Sequence, residues 1–441
     1  MIAGTITIVL AATLAQAAAA QPDAVAHSKT ILAAAAAGEF ERVEAQFTPD
    51  MKVALPPGRL AAMWAGLEMR AGAFKACEAS PRVVDIGDKR MVITRCEFHN
   101  GAFDIQFAFD AAARISGLVF RPVAAAPSAA PLPPYARAGS YSESPIAIGS
   151  GPLALPGTLT LPAGDATIPA VVLVHGSGPQ DRDLTVGPNK PFRDLAAGLA
   201  SRGIAVLRYD KRTYVHRRTT AALGTFTVKD EVIDDVVIAV KALRAQPRIN
   251  GTRIFVLGHS LGGMLVPRIA AADSSVAGFV IAAGAATSIE DAMVAQATYL
   301  ASVDGTISAD ERKGIETAQA FRQRVRGLTT AAAASGEMLA GAPASYWLDL
   351  RGYDPPLAAR AINAPLLLLQ GERDFQVTLD DFAKWKTALG SRRDATFRSY
   401  PALNHLLIAG SGPSLPAGYQ TPGHVAGEVV RDITEWILAI K

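Results

Sequence analysis

The fold is decided by the stretch Arg253-Ile254-Phe255-Val256-Leu257-Gly258-His259-Ser260-Leu261-Gly262-Gly263. Its first five residues are an apolar run rich in β-formers, which predicts a buried strand. The next residues, Met264–Ala272, predict a helix with Pro267 in its first turns. Strand, Gly-x-Ser-x-Gly and helix in this order predict a nucleophile elbow, a sharp turn that lifts the serine hydroxyl clear of the sheet. The glycines on both sides let strand and helix approach closely, so Ser260 is the candidate nucleophile.

A histidine must take the proton of this serine, because a serine hydroxyl is a weak nucleophile without a base. In proteins with an elbow of this kind, the triad residues follow one another along the chain in the order serine, then Asp or Glu, then histidine. Of the seven histidines, two follow Ser260. His405 comes just after a predicted strand at 395–399, where a loop at the carboxyl edge of a sheet would begin. His424 lies in a Pro/Gly-rich turn, so His405 is the predicted base and His424 is the alternative.

The orienting carboxylate is predicted in the loop after another strand. Pro365–Gln370 is a continuous apolar run, as expected of a parallel strand covered on both faces. The run ends at Gly371, and two carboxylates follow in the loop. Asp374 is the predicted acid, holding the base in the correct tautomer, while Glu372 is predicted to face solvent as a partner of Arg373. The alternative for Asp374 is a carboxylate that caps a turn.

Backbone amides are predicted to stabilise the oxyanion. One is the N–H of Leu261, directly after the nucleophile. The other is predicted in the loop 175–179, which follows an apolar strand at 170–174. Ser177 is the predicted donor and Gly178 the alternative, with His175 predicted to be structural. Charged residues around this loop are predicted to brace it: Asp181, Arg182, Asp210, Lys211 and Arg212.

Four motifs occur in order along this part of the chain: His175–Asp183, Leu207–Thr213, Gly258–Gly263 and Gln370–Val377. With them, the chain resembles the α/β-hydrolase superfamily and is similar to its bacterial secreted carboxylesterase branch, near the dienelactone hydrolases. The resemblance implies an α/β fold with a mostly parallel, doubly wound sheet and a helical cap. It also implies the triad Ser260, Asp374 and His405. Secreted members carry an N-terminal domain of unknown function, which the first part of this chain resembles.

The N-terminus predicts export. Ile6–Ala15 is an apolar run too short to span a bilayer, and an alanine-rich segment follows it. This pattern predicts a signal peptide over residues 1–20 with cleavage near Ala20, although no Lys or Arg precedes the apolar run. The mature protein is therefore expected in the periplasm or outside the cell. No other apolar run reaches spanning length, so no integral membrane segment is expected in the mature protein.

The net charge and the cysteine content indicate which partners and which cross-link are expected of this protein. A net charge of +3 over 441 residues, without a basic run, excludes a nucleic-acid-binding footprint. The two cysteines, Cys77 and Cys96, predict a disulfide in an oxidising compartment, with two buried thiols as the alternative. No cofactor and no metal is expected, and the expected partner is a small-molecule ester. The sequence carries no signal for an oligomeric state.

Residues 23–123 predict a small α+β accessory domain. Its expected elements are helices at His27–Arg42 and Leu60–Ala71, then strands at Arg82–Asp85, Arg90–Phe98, Phe103–Phe109 and Ile115–Arg121. Helices followed by a run of strands are typical of the α+β class. Residues 124–145 are rich in Ala and Pro and predict a linker. The catalytic domain is then predicted over 146–441.

Residues from about 287 to 352 predict a helical cap over the active site, controlling the access of water and substrate. Tyr346, Trp347 and Tyr353 are predicted to wall the substrate pocket, with packing of the cap onto the core as the alternative. Together these features predict a serine hydrolase that cleaves carboxylic esters with short acyl chains through an acyl-enzyme. A serine peptidase or acyltransferase on the same fold is the alternative, and a non-catalytic binding protein is a third.

Overall fold

The computed structural model describes residues 23–86, 89–99, 101–123 and 131–441. The predicted signal peptide and the residues 124–130 of the predicted linker lie outside these ranges. The chain divides into two compact units, with the boundary between Ala130 and Pro131. No helix in the described ranges is long and apolar enough to cross a membrane.

The first unit is a small α+β domain. Its helices are α1 (Ala24–Ala36), α2 (Phe40–Glu44), α3 (Pro49–Ala54) and α4 (Arg59–Ala71). Its strands are β1 (Phe74–Cys77), β2 (Arg82–Ile86), β3 (Lys89–Phe98), β4 (Gly101–Phe109) and β5 (Ile115–Val123). They form one antiparallel sheet in the order β1-β3-β4-β5, with β2 also paired to β3. The single predicted helix at 27–42 is two helices, because Gly38 adopts a positive φ of 77° between them.

The two cysteines lie opposite each other on paired strands. β1 and β3 run antiparallel with Cys77 in register with Cys96, and the structure joins the two residues in a disulfide. The strand pairing therefore brings the two thiols together without help from any loop.

We expect the mature protein to contain no free thiol. Intact-mass analysis after alkylation of the folded protein should show no adduct, and two adducts after unfolding and reduction. Replacing both Cys77 and Cys96 by Ala should lower the free energy of unfolding by about 3 kcal/mol, because the bridge closes a loop with a sequence separation of 19 residues. Alkylation of both thiols in the folded protein would show that the bridge is absent.

The second unit contains an eight-stranded sheet. Its strands are β6 (Tyr141–Ile148), β7 (Leu155–Pro162), β8 (Ile168–Val174), β9 (Ala205–Tyr209), β10 (Ile249–His259), β11 (Gly278–Ala282), β14 (Leu366–Gly371) and β15 (Ala395–Tyr400), and a separate hairpin is formed by β12 (Met338–Leu339) and β13 (Ala342–Pro343). The order is β15-β14-β11-β10-β8-β9-β7-β6. The six strands from β15 to β9 are parallel, and β7 and β6 complete the sheet antiparallel.

The second unit contains helices as well as this sheet. They are α5 (Pro191–Ala200), α6 (Arg212–Val215), α7 (Arg217–Ala221), α8 (Asp234–Arg244), α9 (Leu261–Met264), α10 (Val266–Ala272), α11 (Ile289–Ser302), α12 (Ala309–Arg326), α13 (Thr330–Ala334), α14 (Ala344–Leu350), α15 (Pro355–Ala359), α16 (Leu379–Leu389) and α17 (Gly427–Ala439). Successive residues of β8 alternate between two cores: Val172 packs with residues of α8, whereas Leu173 packs with residues of α5 and α17. The predicted α/β class with a mostly parallel, doubly wound sheet is confirmed.

Strand β6 begins before residue 146, the predicted start of the catalytic domain. Tyr141–Pro145, placed at the end of the linker by the sequence, pair with β7 as the first part of β6. Upstream of them, the Arg137 amide donates to Ser201 Oγ at 2.9 Å. The strand escaped prediction because its pattern is polar and contains Pro145, which are features of an edge strand.

Candidate active site

The turn at Ser260 has the geometry of a nucleophile elbow. Strand β10 ends at His259, helix α9 begins at Leu261, and Ser260 between them has φ 54° and ψ −117°. A positive φ is strained for a residue with a side chain, and such strain collects at functional sites. The Ser260 amide donates to the carbonyl of Ala282 in β11 at 3.0 Å, which anchors the turn to the neighbouring strand.

The two glycines of the elbow stand where no side chain fits. A Cβ added at Gly258 would lie 2.3 Å from the carbonyl oxygen of Gly262. One added at Gly262 would lie 2.6 Å from the carbonyl oxygen of Val174 in β8. Both neighbours are backbone atoms, so strand, turn and helix would have to separate to admit a methyl group.

We expect Gly258→Ala to lower the free energy of unfolding by at least about 3 kcal/mol, the upper range of overpacking costs in a tight core. Gly314→Ala is the matched control, since Gly314 is exposed within α12 with no atom within 4 Å of an added Cβ. That change should raise stability by about 0.5–1 kcal/mol through helix propensity. Urea unfolding of both variants measures the difference, and equal effects would contradict the tight elbow.

Asp374 and His405 form a hydrogen-bonded pair. Asp374 lies in the loop after β14 and His405 in the loop after β15, and these strands are parallel neighbours, so their loops meet at one edge of the sheet. Asp374 Oδ2 lies 2.6 Å from His405 Nδ1, and both side chains are buried. The other carboxylate oxygen, Oδ1, accepts from the amides of Gln376 and Val377 at 2.8 and 3.0 Å. Asp374 is therefore held by its own loop with one oxygen directed to the histidine.

The loop that carries His405 lies against the elbow. His259, the residue before Ser260, places its Nε2 2.8 Å from the carbonyl oxygen of His405. The two rings are 4.7 Å apart between centroids. His259 thus joins the nucleophile turn to the backbone of the predicted base, a contact that sequence reasoning did not anticipate.

His424, the alternative base, has a different partner. Its Nδ1 lies 3.1 Å from both carboxylate oxygens of Asp194, on α5. Glu372 is exposed, and the guanidinium of Arg373 does not pair with it but donates to the carbonyls of Gly412 and Ser411 at 2.9 Å. The predicted Glu372–Arg373 pair is thus replaced by backbone contacts, since the loop after His405 presents carbonyl oxygens to the guanidinium.

The predicted oxyanion donors flank the nucleophile. Leu261 is the first residue of α9, where helix amides have no partner within the helix. Ser177 follows β8 on the loop beside the elbow, where a Cβ added at Gly176 would lie 3.1 Å from Ser260 Cβ. In the described parts of the chain, the amides of Leu261 and Ser177 donate to no protein acceptor, and neither does that of Gly178. The choice between Ser177 and Gly178 stays a prediction.

Two buried histidines support this region in their neutral form. Burial lowers the pKa of His175 to about 3, and the nearby positive charge of Lys211 acts in the same direction. Burial also lowers the pKa of His259 to about 3, with the His405 charge adding to the effect. His175 Nε2 lies 2.9 Å from the carbonyl oxygen of Asp181, which is the structural position predicted for it.

These lowered pKa values make stability fall on acidification. Below the ordinary histidine pKa of 6.5, the unfolded chain binds protons that the folded protein excludes. Each such histidine should therefore remove about 1.4 kcal/mol of unfolding free energy per pH unit below that value. His259→Gln keeps a donor for His405 and removes the titration, so its unfolding free energy should fall less steeply between pH 6 and pH 5. Identical slopes by urea titration would contradict the neutral assignment of His259.

A cavity of about 520 Å³ opens beside residues 175–179, the oxyanion loop. Most of its wall is apolar, and the lining residues include Ser177, Gly178, Leu223, Phe226, Ile289, Met338, Pro343, Tyr346 and Trp347. Of the predicted site residues, Ser177, Gly178, Tyr346 and Trp347 line the cavity, whereas Ser260, Asp374 and His405 do not. A cavity of this size is suited to one small molecule.

Of the three aromatic residues predicted to wall the substrate pocket, two line the cavity and one does not. Tyr346 and Trp347 line the cavity, and each also makes a structural hydrogen bond: Tyr346 to the Glu231 carboxylate at 2.9 Å and Trp347 to the Leu339 carbonyl at 2.8 Å. Tyr353 does not line the cavity, and its hydroxyl donates to the Met264 carbonyl.

The charged residues predicted to brace the oxyanion loop form separate ion pairs, not one network. Arg182 pairs with Asp210, and Arg212 pairs with Asp235. Lys211 pairs instead with Glu231, a buried carboxylate that sequence reasoning missed, since it lies in an acidic helix start typical of a solvated surface. In the described ranges, no group of three or more His, Cys, Asp or Glu residues could hold a metal ion.

Known families and relatives match this chain in both units. The family described as "Serine aminopeptidase, S33" matches residues 169–410. The family described as "Protein of unknown function (DUF3887)" matches residues 28–118. Esterase EstD of Thermotoga maritima is 35% identical over 399 residues, which span 90% of this chain and 92% of the relative.

Solved structures are similar to this chain over about two thirds of its length, at low sequence identity. An esterase of Pyrococcus furiosus has a TM-score of 0.42 at 16% identity, over 68% of this chain and 92% of that chain. A putative dienelactone hydrolase of Klebsiella pneumoniae has a TM-score of 0.39 at 16% identity, over 68% and 98% of the two chains.

Proposed function

The chain belongs to the serine aminopeptidase (S33) family of α/β-hydrolases and is an esterase-type serine hydrolase, and we propose that it cleaves carboxylic esters with Ser260, His405 and Asp374 as its triad. The observation that carries this proposal is the buried Asp374–His405 pair, 2.6 Å between Oδ2 and Nδ1, on a loop hydrogen-bonded to the strained Ser260 elbow.

The chemistry follows from these positions. The Ser260 Oγ attacks the ester carbonyl while His405 takes the hydroxyl proton, and a C–O bond forms. The amides of Leu261 and Ser177 stabilise the oxyanion. When the ester C–O bond breaks, His405 gives the proton to the leaving alcohol. Water, deprotonated by the same histidine, then attacks the acyl carbon. The bond from this carbon to Ser260 Oγ breaks, Oγ regains the proton from His405, and the acid leaves. Asp374 stays ionised and stabilises the imidazolium in each step.

Short acyl chains are the proposed substrates, and the apolar cavity of about 520 Å³ beside Ser177 supports a small-molecule ester over a macromolecular one. Turnover of p-nitrophenyl esters of increasing chain length tests this. Acetyl and butyryl esters should be cleaved faster than decanoyl esters. A maximum at long chains would contradict the proposed acyl preference and leave the triad intact.

The peptidase alternative is favoured by the family description and is disfavoured by the cavity. An aminopeptidase must bind a substrate ammonium group with a carboxylate. Glu231 is the acidic residue in the cavity wall, and its carboxylate already pairs with Lys211 at 3.0 Å. Aminoacyl p-nitroanilides should therefore be cleaved far more slowly than p-nitrophenyl esters.

Export to the periplasm or beyond the cell is proposed from the apolar run Ile6–Ala15 and the cysteine pair. Residues 1–20 would be removed as a signal peptide, and residues 23–123 would serve as an accessory domain to the catalytic unit. N-terminal sequencing of the protein recovered from a periplasmic fraction tests this. A cytoplasmic protein that retains residues 1–20 would contradict it.

A further inference from the structure

Lys211 is a buried cation whose position next to the oxyanion loop is set by the sheet. It follows β9, which pairs in parallel with β8, and the oxyanion loop follows β8. The carboxyl ends of neighbouring parallel strands lie at the same edge, so the two segments are adjacent. The backbone of Lys211 joins the loop as well, because its amide donates to the Gln180 carbonyl at 3.0 Å.

The ammonium group of Lys211 binds the backbone of the oxyanion loop. Its Nζ donates to the carbonyl oxygen of Gly176 at 2.7 Å and lies 3.0 Å from Glu231 Oε1. The residue is only 2% exposed, so water does not compete for these contacts. A hydrogen bond from an ionised donor is stronger than one between neutral groups.

Glu231 holds this ammonium in place. Its carboxylate also accepts from the Tyr346 hydroxyl at 2.9 Å and from the Thr213 hydroxyl at 3.0 Å. With these partners the buried carboxylate is satisfied on both oxygens, and Lys211 retains further donors for the loop. The cation is therefore positioned by groups that take no part in the triad.

The Gly176 carbonyl and the Ser177 amide belong to one peptide plane. In a trans peptide the C=O and the N–H point in opposite directions, so the atom that binds the carbonyl fixes the direction of the amide. Lys211 holds the carbonyl on one side, and the Ser177 N–H then points to the other. A cation on the carbonyl also polarises the peptide and strengthens its N–H as a donor.

We propose that Lys211 is a positioning residue that aims and polarises the Ser177 amide at the substrate oxyanion. The proposal rests on the proposed function, in which this amide is an oxyanion donor. Lys211 touches neither substrate nor the triad in this role. It acts through the peptide between Gly176 and Ser177, and its contribution grows as negative charge develops on the carbonyl oxygen of the substrate.

The test is Lys211→Met, which keeps the length of the side chain and removes its charge and donors. We expect kcat to fall about tenfold to a hundredfold with little change in KM, somewhat less than the loss of a direct oxyanion donor. An alkyl trifluoromethyl ketone forms an oxyanion on Ser260 and should bind Lys211→Met more weakly by a similar factor. The matching methyl ketone, which does not mimic that charge, should bind both proteins equally.

Arg212→Met is the matched control, because Arg212 is the next residue along the chain and its partly buried ion pair is with Asp235 of α8, not with Gly176. It should lower stability and leave kcat within a few-fold of wild type. If Lys211→Met does not fold, Lys211→Gln keeps a neutral donor and should show the same selective loss in trifluoromethyl ketone affinity. A folded Lys211 variant with wild-type kcat, or one that loses affinity for both ketones equally, overturns the proposal. Failure of wild-type protein to hydrolyse any ester would instead overturn the proposed function.

Discussion

Ser260→Ala should lower ester turnover by about 10⁴-fold or more, because the members of a triad act as a unit and the residual rate comes from binding and the oxyanion donors alone. Ser260 lies in the turn between β10 and α9 with a strained φ of 54°. The kcat for p-nitrophenyl acetate measures the effect.

Ser391→Ala is the control for this change, since Ser391 is exposed in the turn before β15, at the opposite edge of the sheet from the loops of Asp374 and His405, which follow the carboxyl ends of β14 and β15. It should retain the turnover of the wild type. Circular dichroism and urea unfolding should show that Ser260→Ala is folded. A folded Ser260→Ala protein with more than a few per cent of wild-type activity would exclude Ser260 as the nucleophile.

His405→Ala should cause a loss of similar size, because Ser260 then has no base within the site. The two histidines after the elbow provide a matched pair. His405 bonds Asp374 at 2.6 Å, whereas His424 bonds Asp194 at 3.1 Å. His424→Ala should therefore keep turnover close to wild type and affect only stability.

The opposite result would identify a different base. Near-normal activity in His405→Ala, together with loss of activity in a folded His424→Ala, would show that His424 takes the proton. Intermediate losses in both variants would be explained by disturbed loops, which urea unfolding would detect as reduced stability.

The features that could be predicted from the sequence are those that depend on residues close together along the chain. The elbow depends on five consecutive residues, and its glycines at 258 and 262 are required by backbone contacts with Gly262 and Val174. The loops of Asp374 and His405 each follow an apolar or β-forming run, and parallel strands place such loops at one edge of the sheet. The doubly wound sheet was implied by the resemblance to the α/β-hydrolases, which four short motifs carry.

The features that escaped prediction depend on contacts between distant parts of the chain. The edge strand from Tyr141 is polar, so its pattern resembles a linker, and it is recognised only by its pairing with β7. The bond from Lys211 to the Gly176 carbonyl spans 35 positions in the sequence. Glu231 is buried by Lys211 and Tyr346, which come from separate segments. No local periodicity encodes such pairs.

In the proposed mechanism Ser260 carries the acyl group. Rapid quenching of a p-nitrophenyl ester reaction in acid, followed by peptide mass spectrometry, would detect this intermediate. We expect a peptide that contains Ser260 with the mass of the acyl group added, absent from Ser260→Ala. An acyl group on another residue, or ester turnover with no acylated peptide at any quench time, would contradict it.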